Sequence, residues 1–413
     1  MDKNACMTIK RPTRQIPVWG SWDVVVAGGG IAGVAAALSA ARNGAKTCLV
    51  EKYAGLGGLA TLGHVVIYLP LCDGRGRQVS FGIAEELLKA PMRYSAAQPA
   101  GAWAAPEGAT DEALRKERYE LRFDPGPMVI ALERLLEEAG VDLVYDSAVV
   151  DVARAADGAI THVVVENKSG CGAFAAKTVV DCTGEADLCH RCGEATETSA
   201  KNVRSAWYYA VDAERKVSLG CAVDFYGDVD AKPELMRFDG TDWRSVSRQI
   251  IESRKLIVED FERNNAARAG EGKSPLHVFY APCFHGFRMT RHLVSDYVMT
   301  PADLHRWHDD AVGVFSDWRK RGPVYSLPYR AILAVKTPNL AAAGRCLSAT
   351  GDTWDITRVI PVCAVSGEAA GTAAALAAAS GRPLRAIPAA EIQTALRRRG
   401  VRLDPALVAE IPD

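Results

Sequence analysis

The fold is decided by the stretch Asp23-Val24-Val25-Val26-Ala27-Gly28-Gly29-Gly30-Ile31-Ala32-Gly33, in which a β-branched run leads directly into glycines at the spacing G-x-G-x-x-G. An alanine-rich helix signal follows, and a second apolar run then ends at Glu51. In this order of strand, turn, helix, strand and acid, helix N-terminal amides can face a pyrophosphate and the carboxylate can bind a ribose. A Cβ at the turn would hold the phosphate away, which explains the glycines. The stretch indicates dinucleotide binding, against the alternative of a purely structural glycine turn.

The charge balance of the chain favours small molecules as partners. The 413 residues include 49 Lys and Arg and 50 Asp and Glu, so no overall field attracts nucleic acid or an anionic membrane surface. No basic run is interleaved with aromatic residues, as nucleic-acid binding would require. We therefore expect a small-molecule substrate, with no nucleic-acid and no membrane partner, and a homo-oligomer is left open.

The cysteines and the apolar segments indicate a cytoplasmic protein. Eleven cysteines are an odd number, are scattered, and fall partly in apparent strands, which favours reduced thiols over a disulfide framework. Residues 1–20 lack the apolar segment of a signal peptide. The longest weakly polar runs, 34–41 and 369–379, are alanine-rich and too short to span a membrane.

Changes in pattern along the chain predict a discontinuous first domain. Residues from about 195 to 333 are richer in aromatic residues, arginine and histidine and lose the βαβ rhythm, which returns with a strand-into-glycine segment at 339–345. A chain of this length favours two domains. The predicted divisions are a tail over 1–20, a nucleotide-binding domain over 21–194 and 334–390, an inserted substrate or cap domain over 195–333, and a C-terminal helix and tail over 391–413.

Several local elements follow from hydrophobic periodicity and turn residues. Residues 95–120 show no clear period and are interpreted as a surface excursion. The predicted elements are helices over 82–89, 127–140 and 362–380, a strand over 141–152, and hairpins around 157–158 and 168–170.

Further small-residue motifs accompany the opening stretch in chain order. They are Gly57-Gly58-Leu59-Ala60-Thr61, Asp181-Cys182-Thr183-Gly184-Glu185-Ala186-Asp187, Ala343-Gly344-Arg345-Cys346 and Arg358-Val359-Ile360-Pro361-Val362-Cys363. With the first glycine turn, these motifs resemble the FAD-dependent oxidoreductases of the two-dinucleotide-binding-domain flavoprotein superfamily, on the branch near the fumarate-reductase-type and aspartate-oxidase-type enzymes. The resemblance covers residues from about 21 to about 380.

The resemblance implies an α/β fold, with a Rossmann-like three-layer FAD-binding domain and an inserted α+β substrate (cap) domain. It implies FAD as the cofactor and a dehydrogenase or reductase that moves a hydride between flavin N5 and a small organic substrate. An electron-transfer flavoprotein subunit and a flavin-dependent monooxygenase are the alternatives. The FAD-binding residues that it implies are Gly28, Gly30, Ile31, Ala32, Gly33, Glu51, Lys52, Gly57, Gly58, Leu59, Ala60, Thr61, Val149, Thr183, Gly184, Asp187, Gly344, Arg345, Arg358 and Cys363.

Four residues are candidates for catalysis. His64 directly follows the flavin-side glycine loop, so catalysis, covalent FAD attachment and a satisfied core histidine are all open. Arg288 and His292 would share a face if residues 285–292 form an extended strand, where they could bind a carboxylate or supply protons. Arg358 is expected to meet either a flavin phosphate or a substrate anion, against the alternative of a structural ion pair.

Neither a metal nor a particular electron partner can be inferred. Cys189 and Cys192 have the spacing of a redox or metal motif, but no second pair is spaced nearby to complete a zinc site, so no metal is predicted. No second glycine fingerprint lies between residues 150 and 340. The electron donor or acceptor therefore stays open.

Overall fold

The computed structural model describes residue 9, residues 15–225 and residues 229–411. Most of the predicted tail, residues 1–8 and 10–14, lies outside the described residues, and the first strand already begins at Val18. The strands are β1 (Val18–Ala27), β2 (Thr47–Val50), β3 (Ile67–Tyr68), β4 (Leu121–Arg122), β5 (Asp142–Val144), β6 (Ala148–Arg154), β7 (Ile160–Asn167), β8 (Gly170–Asp181), β9 (Thr196–Thr198), β10 (Ser205–Val211), β11 (Val217–Val223), β12 (His277–Tyr280), β13 (Arg291–Leu293), β14 (Ala311–Ser316), β15 (Val324–Pro328) and β16 (Leu340–Ala342). The α-helices are α1 (Ile31–Arg42), α2 (Ile83–Lys89), α3 (Asp111–Lys116), α4 (Pro125–Glu138), α5 (Asp187–Arg191), α6 (Trp243–Gly270), α7 (Gly351–Thr357), α8 (Ile360–Ser380) and α9 (Ala389–Arg398).

The central sheet confirms the predicted α/β fold class. Its strand order is β5-β2-β1-β8-β7-β6, and β16 also pairs with β8. Strands β1, β2, β5, β8 and β16 are parallel, whereas β6 and β7 are antiparallel additions. The apolar run at the end of β1 is fully buried because a parallel sheet is covered on both faces. The sheet therefore brings the carboxyl ends of β1, β2, β8 and β16 to one edge.

Helices α1 and α8 pack closely because small residues line their contact. A Cβ added at Gly367 would lie 2.2 Å from the Ala32 carbonyl oxygen, and one at Gly371 would lie 2.1 Å from the Ala36 carbonyl oxygen. The hydroxyls of Ser39 and Thr372 hydrogen-bond across the same contact at 2.8 Å. The small residues of α8 thus allow its backbone to lie directly against the backbone of α1.

Helix α8 is long and apolar enough to cross a membrane, with a mean hydropathy of 1.4 in its most apolar window. However, 89% of that window is buried inside the protein. It is the one such helix among the described residues. Its burial is that of a core helix.

Part of the insert forms a small sheet, and part packs on the main core. Strands β10, β11 and β12 form an antiparallel sheet with a small core of its own against α6. The β14–β15 hairpin instead lies against α8 and α9, where Gly313 leaves room for Val365 and Gln393 donates to the Ala311 carbonyl oxygen at 3.0 Å. The division into domains at 195 and 333 stays a prediction.

The helix predictions are confirmed, with ends shifted by at most two residues: 82–89 is Ile83–Lys89, 127–140 is Pro125–Glu138, and 362–380 is Ile360–Ser380. The strand over 141–152 is wrong as a single element. Asp146 has φ +50° and separates β5 from β6, which lie at opposite edges of the sheet.

Two further sequence expectations are wrong in part. Residues 285–292 do not form one extended strand, because only Arg291–Leu293 pairs, with β9. Residues 95–120 are not wholly a surface excursion, since Trp103 is buried and stacks on Tyr119 with ring centroids 4.7 Å apart, and α3 follows. The sequence around Trp103 does not indicate that its ring stacks on Tyr119.

A buried acid on α8 predicts a pH dependence of stability. Glu368 is 3% exposed and accepts a hydrogen bond from the Ile83 amide at 2.9 Å. Burial, and secondly the charge of Glu86, raise the pKa of Glu368 to about 8. The folded protein therefore retains a proton that the unfolded chain releases near its ordinary pKa of 4.5.

We expect the free energy of unfolding to fall as the pH rises from about 4.5 to about 8, by about 5 kcal/mol from this group. Glu368→Gln should remove most of this dependence, because its amide oxygen can still accept from Ile83. Urea unfolding at pH 5.5 and pH 8.5 measures it, with the exposed Glu137→Gln as the matched control. If the free energy of unfolding changes with pH by the same amount in Glu368→Gln and Glu137→Gln, the assignment of this pH dependence to Glu368 is contradicted.

Candidate functional site

The glycine turn after β1 forms a cradle that is open on one side. Gly28 has φ +99°, and a Cβ there would lie 2.5 Å from the Cys182 carbonyl oxygen. A Cβ at Gly33 would lie 1.8 Å from the Gly28 carbonyl oxygen, so Gly33 is needed for packing between turn and helix. At Gly30, by contrast, a Cβ would meet no atom within 4 Å. Since Gly30 caps α1, this open space lies where the free N–H groups of the first helical turn can bind a phosphate.

Glu51 is held rigidly at the end of β2. Its Oε2 accepts from the Gly29 amide at 2.6 Å and its Oε1 from the Tyr53 amide at 2.9 Å. Burial raises the pKa of this carboxyl, and the two backbone hydrogen bonds act in the opposite direction. The geometry fixes the carboxylate beside the glycine turn, as ribose binding requires.

The second glycine loop is attached to the first. The Gly57 amide donates to the Gly29 carbonyl oxygen at 2.8 Å, and Gly57 adopts φ +96°. The Thr61 hydroxyl donates to the Leu56 carbonyl oxygen and so closes the loop on itself. Thr61 therefore shapes the loop from inside.

These elements enclose one cavity, which we call the nucleotide cavity. It is bordered by the turns after β1, β2, β8 and β16, by the start of β6 and by the N-terminal end of α8. The predicted FAD-binding residues that line it are Gly28, Gly30, Ile31, Ala32, Glu51, Lys52, Gly57, Gly58, Leu59, Ala60, Val149, Thr183, Gly184, Asp187, Gly344, Arg345, Arg358 and Cys363. Gly33 and Thr61 do not line it.

Sequence reasoning missed seven lining residues: Val50, Ser147, Ala148, Cys182, Phe284, Ala343 and Ile360. Six of them lie within two positions of a predicted residue in the chain, so a wider window around each motif would have found them. Phe284 comes from the insert, and its ring lies 5.1 Å from that of Tyr53, which follows Lys52. Nothing in the sequence signals this contact.

A second cavity adjoins the first and has a volume of about 560 Å³. It shares Leu59, Ala60, Arg345, Arg358 and Ile360 with the nucleotide cavity. We call it the basic cavity because four of its fifteen lining residues are arginines. Its complete lining is Leu59, Ala60, Val65, Ile67, Leu69, Arg122, Trp207, Leu219, Cys221, Arg288, Trp318, Arg345, Arg358, Val359 and Ile360.

Arg345 and Arg358 line both cavities, and Arg288 lines the basic cavity. Arg345 donates to the Gly184 and Phe287 carbonyl oxygens, each at 3.2 Å. Arg358 forms an ion pair with Asp355. Burial, and then the nearby charges of Arg288 and Arg345, nevertheless hold the pKa of Arg358 below its usual value, against the opposing effect of Asp355.

His64 and His292, both predicted as catalytic, line neither cavity. His64 is buried, with Nδ1 3.2 Å from the Trp207 carbonyl oxygen and its ring 4.8 Å from that of Tyr280. His292 is buried on β13, 3.5 Å from Glu197, with its ring 4.4 Å from that of Trp354. The structure thus brings Arg288 and Arg358 together and leaves the two histidines among packed aromatic residues.

A third histidine, His285, begins the segment 285–292 but was not among the residues predicted to be catalytic. Its Nδ1 is buried and has no hydrogen-bond partner among the described residues. Burial, followed by the charges of Arg345 and Lys52, lowers the pKa of His285 to about 3. The ring is therefore neutral at ordinary pH and packs between Phe284 and Phe287.

The thiols and acids give no sign of a metal centre. In the described part of the chain, no group of three or more His, Cys, Asp or Glu could hold a metal ion. Cys189 and Cys192 are free and buried, and burial raises the pKa of both thiols. They lie in the packing around α5.

The cradle at Gly30, the fixed acid Glu51 and the glycine-lined cavity fit an extended dinucleotide and define the class of FAD-binding α/β flavoproteins. The chain belongs to the FAD-dependent oxidoreductase family, whose sequence model matches residues 23–211 and 205–396. It is therefore an enzyme that binds FAD. The expected membership of an FAD-dependent oxidoreductase family is confirmed.

Solved structures with a similar chain course are distant. A p-nitrophenol 4-monooxygenase from Pseudomonas putida is 13% identical, with 94% of this chain and 91% of that chain covered and a TM-score of 0.45. A geranylgeranyl bacteriochlorophyll reductase-like protein from Thermoplasma acidophilum is 16% identical, with 92% and 83% covered and a TM-score of 0.44. Adenylylsulfate reductase from Archaeoglobus fulgidus is 13% identical, with 95% and 76% covered and a TM-score of 0.43. No curated protein matches the chain. Likenesses this distant carry no information about the substrate.

Proposed function

We propose that the protein is a dehydrogenase or reductase that moves a hydride between the N5 atom of FAD and a small organic substrate held in the basic cavity. The observation that carries this proposal is the shared wall of the two cavities. Leu59, Ala60 and Ile360 border both spaces, so a molecule in the basic cavity lies next to whatever fills the end of the nucleotide cavity. FAD, when bound, supplies the two-electron chemistry.

The chain's own residues supply position, charge and apolar surface. The N-terminal end of α8 borders both cavities, and a helix N-terminus stabilises negative charge beside it. Arg345 and Arg358 add positive charge at the same place. Trp207 and Trp318 line the basic cavity and add apolar aromatic surface to its wall. We therefore propose Arg288 and Arg358 as functional side chains, whereas His64 and His292 pack against aromatic residues outside both cavities.

The partners of the protein and its location in the cell are also proposals. The basic cavity gives room for a small-molecule substrate, and the near-neutral charge balance favours neither nucleic acid nor an anionic membrane as partner. The free cysteines support a cytoplasmic location. A homo-oligomer and the identity of the electron donor or acceptor stay open.

Filling the basic cavity should abolish turnover while FAD binding persists. Leu219 on β11 lines the cavity, so Leu219→Trp should occupy substrate space without touching the glycine cradle. Val217 lies two residues away on the same strand and is 47% exposed, which makes Val217→Trp the matched control. Mixtures of small organic molecules are added to the FAD-loaded protein without oxygen, and reduction of the flavin is followed as a loss of its visible absorption. We expect this reduction in the wild type and in Val217→Trp. In Leu219→Trp it should be at least about tenfold slower.

Equal bleaching in both variants would contradict a substrate site in the basic cavity. Oxygen uptake in step with formation of a hydroxylated product would instead favour the monooxygenase alternative. Bleaching that needs a second protein would favour the electron-transfer subunit.

A further inference from the structure

One segment of the insert borders the nucleotide cavity. Residues 281–287, which we call the strap, follow β12 and belong to no helix or strand. Phe284, in the middle of the strap, lines the cavity. In the described part of 195–333, it is the one residue that does so. The strap is therefore the part of the insert that can touch a cofactor in this cavity.

The strap connects opposite sides of the nucleotide cavity. On the β2 side, the ring centroids of Phe284 and Tyr53 lie 5.1 Å apart. On the β16 side, Arg345 donates to the Phe287 carbonyl oxygen and to the Gly184 carbonyl oxygen, each at 3.2 Å. Since β1 lies between β2 and β8 in the sheet, the strap spans the edge at which the glycine turn begins.

The two sides of the strap are held in different ways. Near its C-terminal end, Phe287 is buried, and a Cβ at Gly286 would lie 2.2 Å from the Ser205 carbonyl oxygen. That end is packed backbone against β10. On the other side, the strap is held by the contact of two half-buried rings, Phe284 and Tyr53. A single aromatic contact is weaker than close backbone packing, so the strap can detach at Phe284 while it stays attached at Gly286.

His285 makes the closed position of the strap less favourable. Its Nδ1 is buried and has no hydrogen-bond partner among the described residues, and the charges of Arg345 and Lys52 act on its ring. A buried nitrogen without a partner loses the hydrogen bonds that it would make to water. Outward movement of the strap would return this nitrogen to water, which offsets part of the lost ring contact.

We propose that the strap is a lid over the nucleotide cavity: it opens at the contact between Phe284 and Tyr53 to admit FAD, and it closes on the bound cofactor. This inference goes beyond the proposed function, because it concerns the entry of the cofactor and holds for any substrate. Lid opening of this kind sets the rates at which an enclosed molecule enters and leaves. Tyr53 does not line the cavity, so its ring acts on FAD only through the strap.

The test measures how fast FAD leaves and enters. For release, protein loaded with radiolabelled FAD is mixed with excess unlabelled FAD, and the label that remains on the protein is counted over time. For entry, protein freed of FAD is mixed with FAD, and the quenching of flavin fluorescence is followed.

Removal of the ring contact should accelerate both processes. In Tyr53→Ala, we expect release to be about tenfold faster and entry at least about threefold faster, because the open strap becomes more populated. Phe284→Ala should change both rates in the same direction. The double variant should be no faster than Phe284→Ala, since both substitutions remove the same contact.

Two controls accompany these variants, and thermal unfolding without FAD checks the fold of each. Tyr53→Phe keeps the ring and should exchange FAD at the wild-type rate. Phe279→Ala is the matched control for Phe284→Ala, because Phe279 is 58% exposed on β12 and does not line the cavity. Faster release in Phe284→Ala with unchanged rates in Tyr53→Ala would make Phe284 a simple contact of FAD and overturn the lid. Wild-type rates in both variants would overturn it as well.

Discussion

Replacing Gly30 by valine is expected to abolish FAD retention in a protein that still folds. Gly30 has extended backbone angles, φ −66° and ψ 178°, which valine adopts readily, and its added Cβ would meet no protein atom within 4 Å. We propose that the pyrophosphate of FAD occupies that open space, so the side chain would compete with the cofactor and not with the core. We expect FAD affinity to fall roughly 100-fold, or about 2.7 kcal/mol.

The measurement is FAD binding by fluorescence quenching, together with thermal unfolding of the protein without FAD. Gly126→Val is the matched control, because Gly126 is exposed on α4, has an ordinary φ and also faces open space. Without FAD, both variants should unfold within about 0.5 kcal/mol of the wild type. Undiminished FAD affinity in Gly30→Val would mean that the cradle does not hold the pyrophosphate.

Replacing Gly371 by valine should have the opposite profile and destabilise the whole protein. A Cβ at Gly371 lies 2.1 Å from the Ala36 carbonyl oxygen, so the branched side chain must push α8 away from α1. Overpacking of a rigid core contact costs about 3 kcal/mol. Because α1 and α8 both border the nucleotide cavity, FAD affinity should weaken as a secondary effect.

Urea unfolding at saturating FAD measures this cost, and Gly371→Ala should give a smaller loss than Gly371→Val. Ala379→Val is the matched control, since Ala379 is exposed near the end of the same helix and receives the same branched side chain away from the contact with α1. If Gly371→Val and Ala379→Val unfold at the same urea concentration, the close contact between α1 and α8 is not required for stability.

Local sequence was sufficient for the parts of the site that depend on backbone geometry. The glycine turn, Glu51 and the loop at Gly57 were predictable because each requires a particular residue type at a fixed spacing. All but Gly33 and Thr61 of the predicted FAD-binding residues line the nucleotide cavity. Gly33 allows the turn to pack closely on α1, and Thr61 closes its loop by a hydrogen bond to the Leu56 carbonyl oxygen.

The catalytic predictions fared differently because they depended on contacts that are distant in sequence. His64 was favoured by its position after a glycine loop, but it has a positive φ of +57° and packs against the sheet of β10, β11 and β12, beside Trp207 and Tyr280. Arg288 was predicted through a strand that does not form, and it borders the basic cavity from a loop instead. Which side chains converge on a cavity depends on the path of the insert, which no local pattern encodes.

The pairing of β8 has a consequence for biosynthesis. The N-terminal part of β8 pairs with β7, which immediately precedes it in the chain. The C-terminal part pairs with β16, which follows about 160 positions later. Helix α8, which covers α1, follows later still. During translation, the dinucleotide helix therefore leaves the ribosome long before its partner exists, and its apolar face stays uncovered meanwhile. We expect the nascent chain to depend on chaperones until residue 380 has emerged, and FAD to be captured only after that point.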